Sequence, residues 1–299
     1  MSNCNLCPRQ CGADRENGKS GICGVSGKNM LAARAALHFW EEPCISGEKG
    51  SGTVFFSGCP LRCVYCQNYQ IASTEVGMEI SEERLKDIFL ELQEKGAHNI
   101  NLVTPTHYTP EIIRAIGKAK ERGLRLPVVY NCSGYEKVET LKTLKGIVDI
   151  YLTDFKYMEK ETAVRYSKAP DYPEIARAAL KEMMDQTGEA KFDENGIMQS
   201  GVIVRHLLLP GHVRNARAVV KYVYETYGNQ LYLSLMNQYT PLPQVKKEFP
   251  ELDRRVTERE YQRLISYALE LGIENAFIQD GKTAEESFIP MFDYEGIRS

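Results

Sequence analysis

The sequence predicts an α/β fold, a partial (β/α) barrel that follows a small cysteine-rich N-terminal segment. Three observations lead to this prediction. After residue 50, short β-branched or aromatic runs alternate with segments of helical periodicity. The chain has 299 residues, of which 43% are hydrophobic, so it can bury a full core. Five of its nine cysteines precede this alternation, and four of them lie within the first 23 residues. We therefore expect a metal-binding segment over 1–50 and the barrel over 51–299.

The predicted elements follow one another in a βα order. The first strand covers 53–56, and the next helix opens at Ser81, a typical capping residue, and buries one apolar face. Further strands are predicted at 99–103, 127–131, 148–153, 202–209, 231–235 and 276–279, and further helices at 110–122, 172–186, 213–226 and 257–271. Parallel strands joined by right-handed crossovers curl into a barrel or part of one.

Composition excludes several classes of partner. The 37 Lys and Arg against 40 Asp and Glu leave a net charge of −3, so we expect no nucleic-acid partner. The amino terminus lacks a signal pattern, and Arg205 and His206 interrupt the longest apolar stretch at 201–209, so we expect no membrane partner. Nine cysteines, an odd number in short-spaced groups, indicate metal ligation in a reducing compartment. We therefore expect a cytoplasmic protein.

The most informative pattern is C-x3-C-x2-C, formed by Cys59, Cys63 and Cys66 directly after the first predicted strand. A closed four-iron, four-sulfur site takes four protein ligands, so three thiolates leave one iron open to a substrate or cofactor. An electron carrier gains nothing from an open iron. The pattern therefore favours a catalytic 4Fe-4S cluster.

These cysteines, with Tyr65 as the aromatic residue before the last of them, resemble the radical S-adenosylmethionine (radical SAM) superfamily. The resemblance implies a barrel of the radical SAM type and two cofactors, a 4Fe-4S cluster and S-adenosyl-L-methionine. It also implies reductive cleavage of that cofactor to a 5'-deoxyadenosyl radical, which abstracts hydrogen from a substrate. Tyr65 is thereby expected at the cofactor site.

Polar residues follow each of the next three predicted strands, at 104–107, 131–134 and 154–156. Sites in such folds gather at the carboxyl ends of strands. The resemblance implies that Asn131 and Ser133 contact the cofactor ribose and that Asp154 and Lys156 contact its methionine moiety.

The end of the second predicted strand departs from the family pattern. Many radical SAM proteins carry Gly-Gly-Glu-Pro there to bind the methionine amino group, and this chain has Val-Thr-Pro-Thr at 103–106. Thr104 and Thr106 offer hydroxyl and carbonyl acceptors but no carboxylate. We expect these two threonines at the cofactor site, with an altered cofactor affinity or pose. No residue is assigned as catalytic.

Several longer strings resemble the activating enzymes of glycyl-radical enzymes, and in particular uncharacterised proteins similar to pyruvate formate-lyase activating enzyme. These strings lie at 38–43, 45–47, 50–58, 101–108 and 169–173. The resemblance implies an oxidoreductase that acts on a backbone glycine of a partner enzyme, with an electron donor such as flavodoxin or ferredoxin. The alternatives are modification of another protein or a small metabolite and, from a different class, a non-catalytic iron-sulfur electron carrier.

A second group of cysteines precedes the barrel: Cys4, Cys7, Cys11 and Cys23. Four thiolates suffice for a closed tetrahedral zinc site or for a fully ligated iron-sulfur cluster. Their spacing does not separate these two alternatives. Structural zinc would stabilise a polar, glycine-rich segment that has few apolar residues of its own, and an auxiliary cluster could deliver electrons or anchor substrate.

Overall fold

The computed structural model describes residues 3–27, 29–279 and 289–298. Within these residues ten strands form one sheet. The strands are β1 Met30–His38, β2 Ser51–Phe56, β3 Met78–Ile80, β4 Ile100–Val103, β5 Val128–Cys132, β6 Ile150–Asp154, β7 Lys191–Phe192, β8 Met198–Leu207, β9 Tyr232–Met236 and β10 Ala276–Ile278. The order across the sheet is β10-β9-β8-β6-β5-β4-β2-β1-β3, and β7 pairs with β8.

Nine α-helices lie within the described part of the chain. They are α1 Pro43–Ser46, α2 Tyr69–Ala72, α3 Glu82–Glu94, α4 Thr109–Glu121, α5 Val138–Lys142, α6 Lys160–Ser167, α7 Tyr172–Thr187, α8 Val213–Tyr227 and α9 Glu258–Leu271. The Ser81 side chain accepts a hydrogen bond from the Arg84 amide, which caps α3 as the sequence predicts. No helix among the described residues is long and apolar enough to cross a membrane.

The central strands confirm the predicted α/β fold. β2, β4, β5, β6, β8, β9 and β10 run parallel to one another. All of them except the edge strand β10 are buried along most of their length, as expected for a parallel sheet covered on both faces. The two ends of the strand order, β10 and β3, are not paired with each other in the described residues, so the barrel is partial.

β1 is the main element that the sequence did not predict. Its sequence, MLAARAALH, is rich in alanine and has no strand-like alternation. It becomes a strand because it pairs antiparallel with β2 on one side and with β3 on the other. The sheet therefore contains a strand from the segment 1–50; the division of the chain at residue 50 itself stays a prediction.

The segment after β1 lies at the amino ends of the parallel strands. Because β1 is antiparallel to β2, its last residue, His38, lies opposite Ser51, the first residue of β2. α1 follows, and its residues Cys44 and Ile45 are buried against the inward side of the sheet. Their partners are Val129, Ile150, Leu152, Met198 and Ile203. This segment forms a floor beneath the barrel interior.

Candidate functional site

A cavity of about 790 Å³ opens among the carboxyl ends of the parallel strands. Its size is typical of sites for small molecules and cofactors. Of the residues that the sequence singled out for the barrel site, it is lined by Cys59, Cys63, Tyr65, Cys66, Thr104, Asn131, Ser133, Asp154 and Lys156. The tertiary structure thus collects residues from four strand ends around one space.

The loop that carries the three cysteines begins at Gly58, immediately after β2. Gly58 has φ +93°, and a Cβ there would lie 2.5 Å from Val25 and 2.9 Å from the His107 ring, so only glycine fits. The amide of Cys59 then donates to the carbonyl oxygen of Cys23 at 3.1 Å. The loop is therefore packed against the N-terminal segment from its first residue.

The three thiols are neighbours. Burial, followed by the charge of Cys63, raises the pKa of the Cys59 thiol to about 11. Burial together with Cys59 and Cys63 likewise raises the pKa of Cys66. All nine cysteines of the chain are free thiols, as metal ligation requires.

A partly buried ion-pair network lies between the loop and the barrel interior. The Lys156 ammonium lies 2.6 Å from Asp154 Oδ2, and the Arg205 guanidinium Nε lies 3.2 Å from Asp154 Oδ1. Arg205 also contacts Glu41 Oε2 at 3.0 Å and donates to Asn131 Oδ1 at 2.5 Å. Two cations and two carboxylates therefore neutralise one another at the base of the cavity, as buried charges require.

The pKa values of this network follow from its pairing. Burial opposes the charge on Lys156, but Asp154 and the Cys63 and Cys66 thiols outweigh burial and raise the pKa of the ammonium. Burial opposes the charge on Asp154 too, and Lys156 and Arg205 outweigh it and lower the pKa of that carboxyl. Lys156 therefore stays a cation beside the thiols, and Asp154 stays an anion behind it.

Sequence reasoning missed Glu41, Glu42 and Arg205 as members of the site. Glu41 accepts from Asn101 and Asn131 at 3.1 Å each, in addition to its ion pair with Arg205. Glu42 is 8% exposed, its Oε2 atom has no hydrogen-bond partner in the described residues, and burial raises the pKa of its carboxyl. The available signal was two consecutive acids directly before the proline that opens α1.

The threonines predicted at the second strand end have different surroundings. Thr104 lines the cavity with φ +57°, a conformation that a β-branched residue rarely adopts. Thr106 is buried, and its hydroxyl donates to Glu136 Oε1 at 2.8 Å, away from the residues that line the cavity. Neither supplies a carboxylate, and their contact with a cofactor stays a prediction.

The two residues predicted beside a ribose both line the cavity. The Asn131 side chain is occupied by Glu41 and Arg205. The Ser133 hydroxyl is buried and has no hydrogen-bond partner among the described residues. Because a buried polar group without a partner is costly, the Ser133 hydroxyl is suited to a bound ligand's polar group.

The Arg9 side chain connects the N-terminal segment to the cysteine loop by hydrogen bonds. Its guanidinium donates to the carbonyl oxygens of Pro60 at 3.0 Å and Leu61 at 3.3 Å, both within the loop. It also donates to the carbonyl oxygens of Ser167 at 2.7 Å and Lys168 at 2.5 Å. One side chain thus ties the N-terminal segment, the loop and the end of α6 together.

The four N-terminal cysteines lie near one another. Burial, together with the neighbouring thiols of Cys23 and Cys4, raises the pKa of Cys7 to about 12. A Cβ on Gly21 would lie 3.2 Å from Cys11 Sγ and 3.3 Å from Cys23 Sγ. In the described part of the chain, however, no three or more His, Cys, Asp or Glu side chains are arranged to hold a metal ion.

Comparison with known proteins identifies the family of this chain. Residues 53–221, more than half of the chain, match the family model of the Radical SAM superfamily. The chain therefore belongs to the Radical SAM superfamily. An uncharacterized protein from Methanocaldococcus jannaschii is 28% identical over 277 residues, which cover 90% of this chain and 75% of that protein.

Two solved structures are also similar. Methylornithine synthase has a TM-score of 0.49 and 13% identity, with 73% of this chain and 67% of that chain covered. Coproporphyrinogen III oxidase from Escherichia coli, described as a Radical SAM enzyme, has a TM-score of 0.44 and 10% identity, with 63% of this chain and 44% of that chain covered.

Membership of this superfamily implies a 4Fe-4S cluster and S-adenosylmethionine. The residues present fit both groups. Three neighbouring free thiols face the cavity, a permanent cation lies beside them, and the buried Ser133 hydroxyl has no hydrogen-bond partner among the described residues. The chain supplies thiolates for metal, an ammonium for a carboxylate, and polar groups for a sugar.

We predict that stability depends on pH through Glu136. Burial raises the pKa of this carboxyl to about 8, so the folded protein holds a proton that the unfolded chain releases near its ordinary value of 4.5. The stabilisation that this carboxyl contributes is fully present below 4.5, its pKa in the unfolded chain. It is lost as the pH rises through about 8, its pKa in the folded protein. The free energy of unfolding should therefore fall between pH 5 and 8, by at most about 1.4 kcal/mol per pH unit.

Urea unfolding of the parent and of Glu136→Gln between pH 5 and 8 tests this prediction. The amide can still accept from Thr106, and it cannot ionise, so the pH dependence should flatten and the variant should be the more stable at pH 8. If the free energy of unfolding changed with pH by the same amount in the two proteins, the prediction would be wrong.

Proposed function

We propose that the protein is a radical SAM enzyme of the activating-enzyme type, in which a hydrogen atom is taken from a backbone glycine of a partner enzyme. The observation that carries the proposal is the three-thiol loop with Tyr65, which shares one cavity with Lys156 and Ser133. When bound, the cluster and S-adenosylmethionine supply reductive cleavage to a 5'-deoxyadenosyl radical. The chain's own residues would bind and orient these two groups and exclude solvent from the cavity.

The roles proposed for the residues follow their surroundings. Cys59, Cys63 and Cys66 hold three irons of the cluster. Lys156 binds the methionine carboxylate as a buried ammonium, and Asp154 holds it in place through their 2.6 Å contact.

The other proposed cofactor contacts come from residues on the cavity wall. Ser133 offers its unpartnered hydroxyl to the ribose, and Asn131 lies beside it on the cavity wall. Tyr65 and Thr104 line the same space, while Thr106 would act through its backbone because its hydroxyl is bonded to Glu136.

A protein substrate is supported by exposed aromatic residues of the floor segment. Phe39 and Trp40 line the cavity and are 50% and 54% exposed, and exposed aromatic residues are common at protein interfaces. The electron would come from a flavodoxin or ferredoxin. The free thiols fit a reducing compartment, which supports a cytoplasmic location.

A small-molecule substrate is the second candidate, and Glu42 favours it. This carboxyl lies on the cavity floor with an oxygen that has no partner among the described residues. A cationic or hydrogen-bond-donating group of a small substrate would satisfy that oxygen, because buried carboxyl groups need a partner. A protein loop would have to enter the full depth of the cavity to do so.

We predict that Cys59→Ala, Cys63→Ala and Cys66→Ala each abolish cluster assembly and formation of 5'-deoxyadenosine, because two thiolates do not retain three ligated irons. Anaerobic reconstitution, iron and sulfide analysis, and detection of 5'-deoxyadenosine after addition of dithionite and S-adenosylmethionine measure both effects. Cys44→Ala is the matched control, since this buried thiol packs in the barrel floor.

If one of the three variants kept the parent's iron content and cofactor cleavage, the assignment of the loop would be wrong. A parent that assembles the cluster but forms no 5'-deoxyadenosine would instead indicate an iron-sulfur electron carrier.

We further propose a second metal centre at Cys4, Cys7, Cys11 and Cys23, either structural zinc or an auxiliary iron-sulfur cluster. Support comes from the four thiols that lie near one another and from the glycine at position 21 that leaves room for two of them. Metal binding by these thiols would order the segment that carries Arg9 and so stabilise the hydrogen bonds that Arg9 donates to the loop.

Metal analysis of the parent and of Cys7→Ala distinguishes the two metals. With zinc, we expect about one ion per chain that survives loss of iron and disappears in the variant. With a cluster, anaerobic reconstitution should load about four additional irons that the variant lacks. If neither metal binds, the four cysteines have a different role.

A further inference from the structure

We infer that three buried hydroxyl groups, on Tyr65, Tyr157 and Ser167, form a hydrogen-bond chain that ends on the Cys63 sulfur and raises the reduction potential of the cluster. The inference rests on the proposed function, because that proposal assigns Cys63 to the cluster. Ser167 and Tyr157 are positioning residues in this account, since neither lines the cavity.

The contacts are continuous from one end to the other. The Ser167 hydroxyl donates to Cys63 Sγ at 3.1 Å. The Tyr157 hydroxyl lies 2.8 Å from Ser167 Oγ, and the Tyr65 hydroxyl lies 2.7 Å from the Tyr157 hydroxyl. All three residues are buried, so solvent does not compete for these bonds.

The direction of every bond follows from the sulfur. A metal-bound thiolate has no hydrogen and only accepts, so Ser167 must give it the single hydrogen of its hydroxyl. Ser167 can then only accept from Tyr157, and Tyr157, having given its hydrogen, can only accept from Tyr65. The donors therefore run from Tyr65 through Tyr157 and Ser167 to Cys63.

The backbone holds the last donor in place. Ser167 is the final residue of α6, and its carbonyl oxygen accepts from Arg9 at 2.7 Å. The amide of Val64, which follows Cys63, donates to the carbonyl oxygen of Tyr166 at 2.9 Å. The loop and the helix end are thus joined on both sides of the hydroxyl, which keeps it aimed at the sulfur.

Such a chain affects the two oxidation states of a cluster differently. Reduction by an external one-electron donor adds one negative charge, part of which resides on the sulfurs. A hydrogen bond to a ligand sulfur stabilises the reduced state more than the oxidised state, so it raises the potential. Tyr65 and Tyr157 strengthen the effect because hydrogen bonds in a chain polarise one another.

The test is a redox titration of the reconstituted full-length protein with dithionite and mediators, followed by electron paramagnetic resonance. In Ser167→Ala we expect the ratio of reduced to oxidised cluster at fixed ambient potential to fall about tenfold, a shift of about 59 mV to lower potential. Tyr157→Phe should shift it less in the same direction, because Ser167 still donates. Tyr151→Phe is the control, since it removes a phenol hydroxyl that donates to Gln186 and takes no part in the hydrogen-bond chain to Cys63.

Iron and sulfide analysis of each protein comes first. If Ser167→Ala does not load the cluster, Tyr157→Phe decides, because it leaves the Ser167 bond to sulfur intact. Parental potentials in the loaded variants, or an equal shift in Tyr151→Phe, overturn the inference and leave the proposed function standing. A lowered potential in a protein whose parent does not cleave S-adenosylmethionine supports the inference and rejects the proposed function. A parent that loads no cluster rejects both.

Discussion

The pairing of the partly buried Arg205 guanidinium organises the interior of this barrel. A guanidinium stays charged when buried, so it needs anions and acceptors around it. Glu41 comes from the floor segment, Asp154 from β6 and Asn131 from β5, and all three contact Arg205 on β8. Arg205 thereby joins three strands and the floor, and through Asp154 it positions Lys156 beside the cysteines.

The cysteine loop depends on contacts from outside the barrel. Gly58 leaves room for Val25, the Cys59 amide donates to the Cys23 carbonyl oxygen, and Arg9 donates to the carbonyl oxygens of Pro60 and Leu61. The N-terminal segment therefore supports the loop directly, through the Cys59–Cys23 backbone contact and the Arg9 side chain.

The departure at the second strand end has a structural setting. No carboxylate stands at 104–107; among the described residues, the acidic groups that line the cavity are Asp154, which is paired with Lys156, and Glu41 and Glu42 on the floor. These floor residues enter from the amino ends of the strands because β1 is antiparallel to its neighbour. Glu41 and Glu42 thus enter the cavity from the floor, whereas Asp154 lies beside Lys156 near the cysteine loop.

The sequence by itself determined the alternation of strands and helices, the three-thiol pattern and the polar residues at the strand ends, because each depends on residues close together in the chain. Only the tertiary structure decided that 30–38 forms a strand. Its alanine-rich sequence has no strand periodicity, and the segment is extended because it pairs with β2 and β3. It also decided that Arg9 contacts the loop, that Arg205 pairs with Glu41, and that Ser167 donates to Cys63. These partners lie 51 to 164 positions apart, and sequence patterns report only local periodicity and spacing, so no short motif links them.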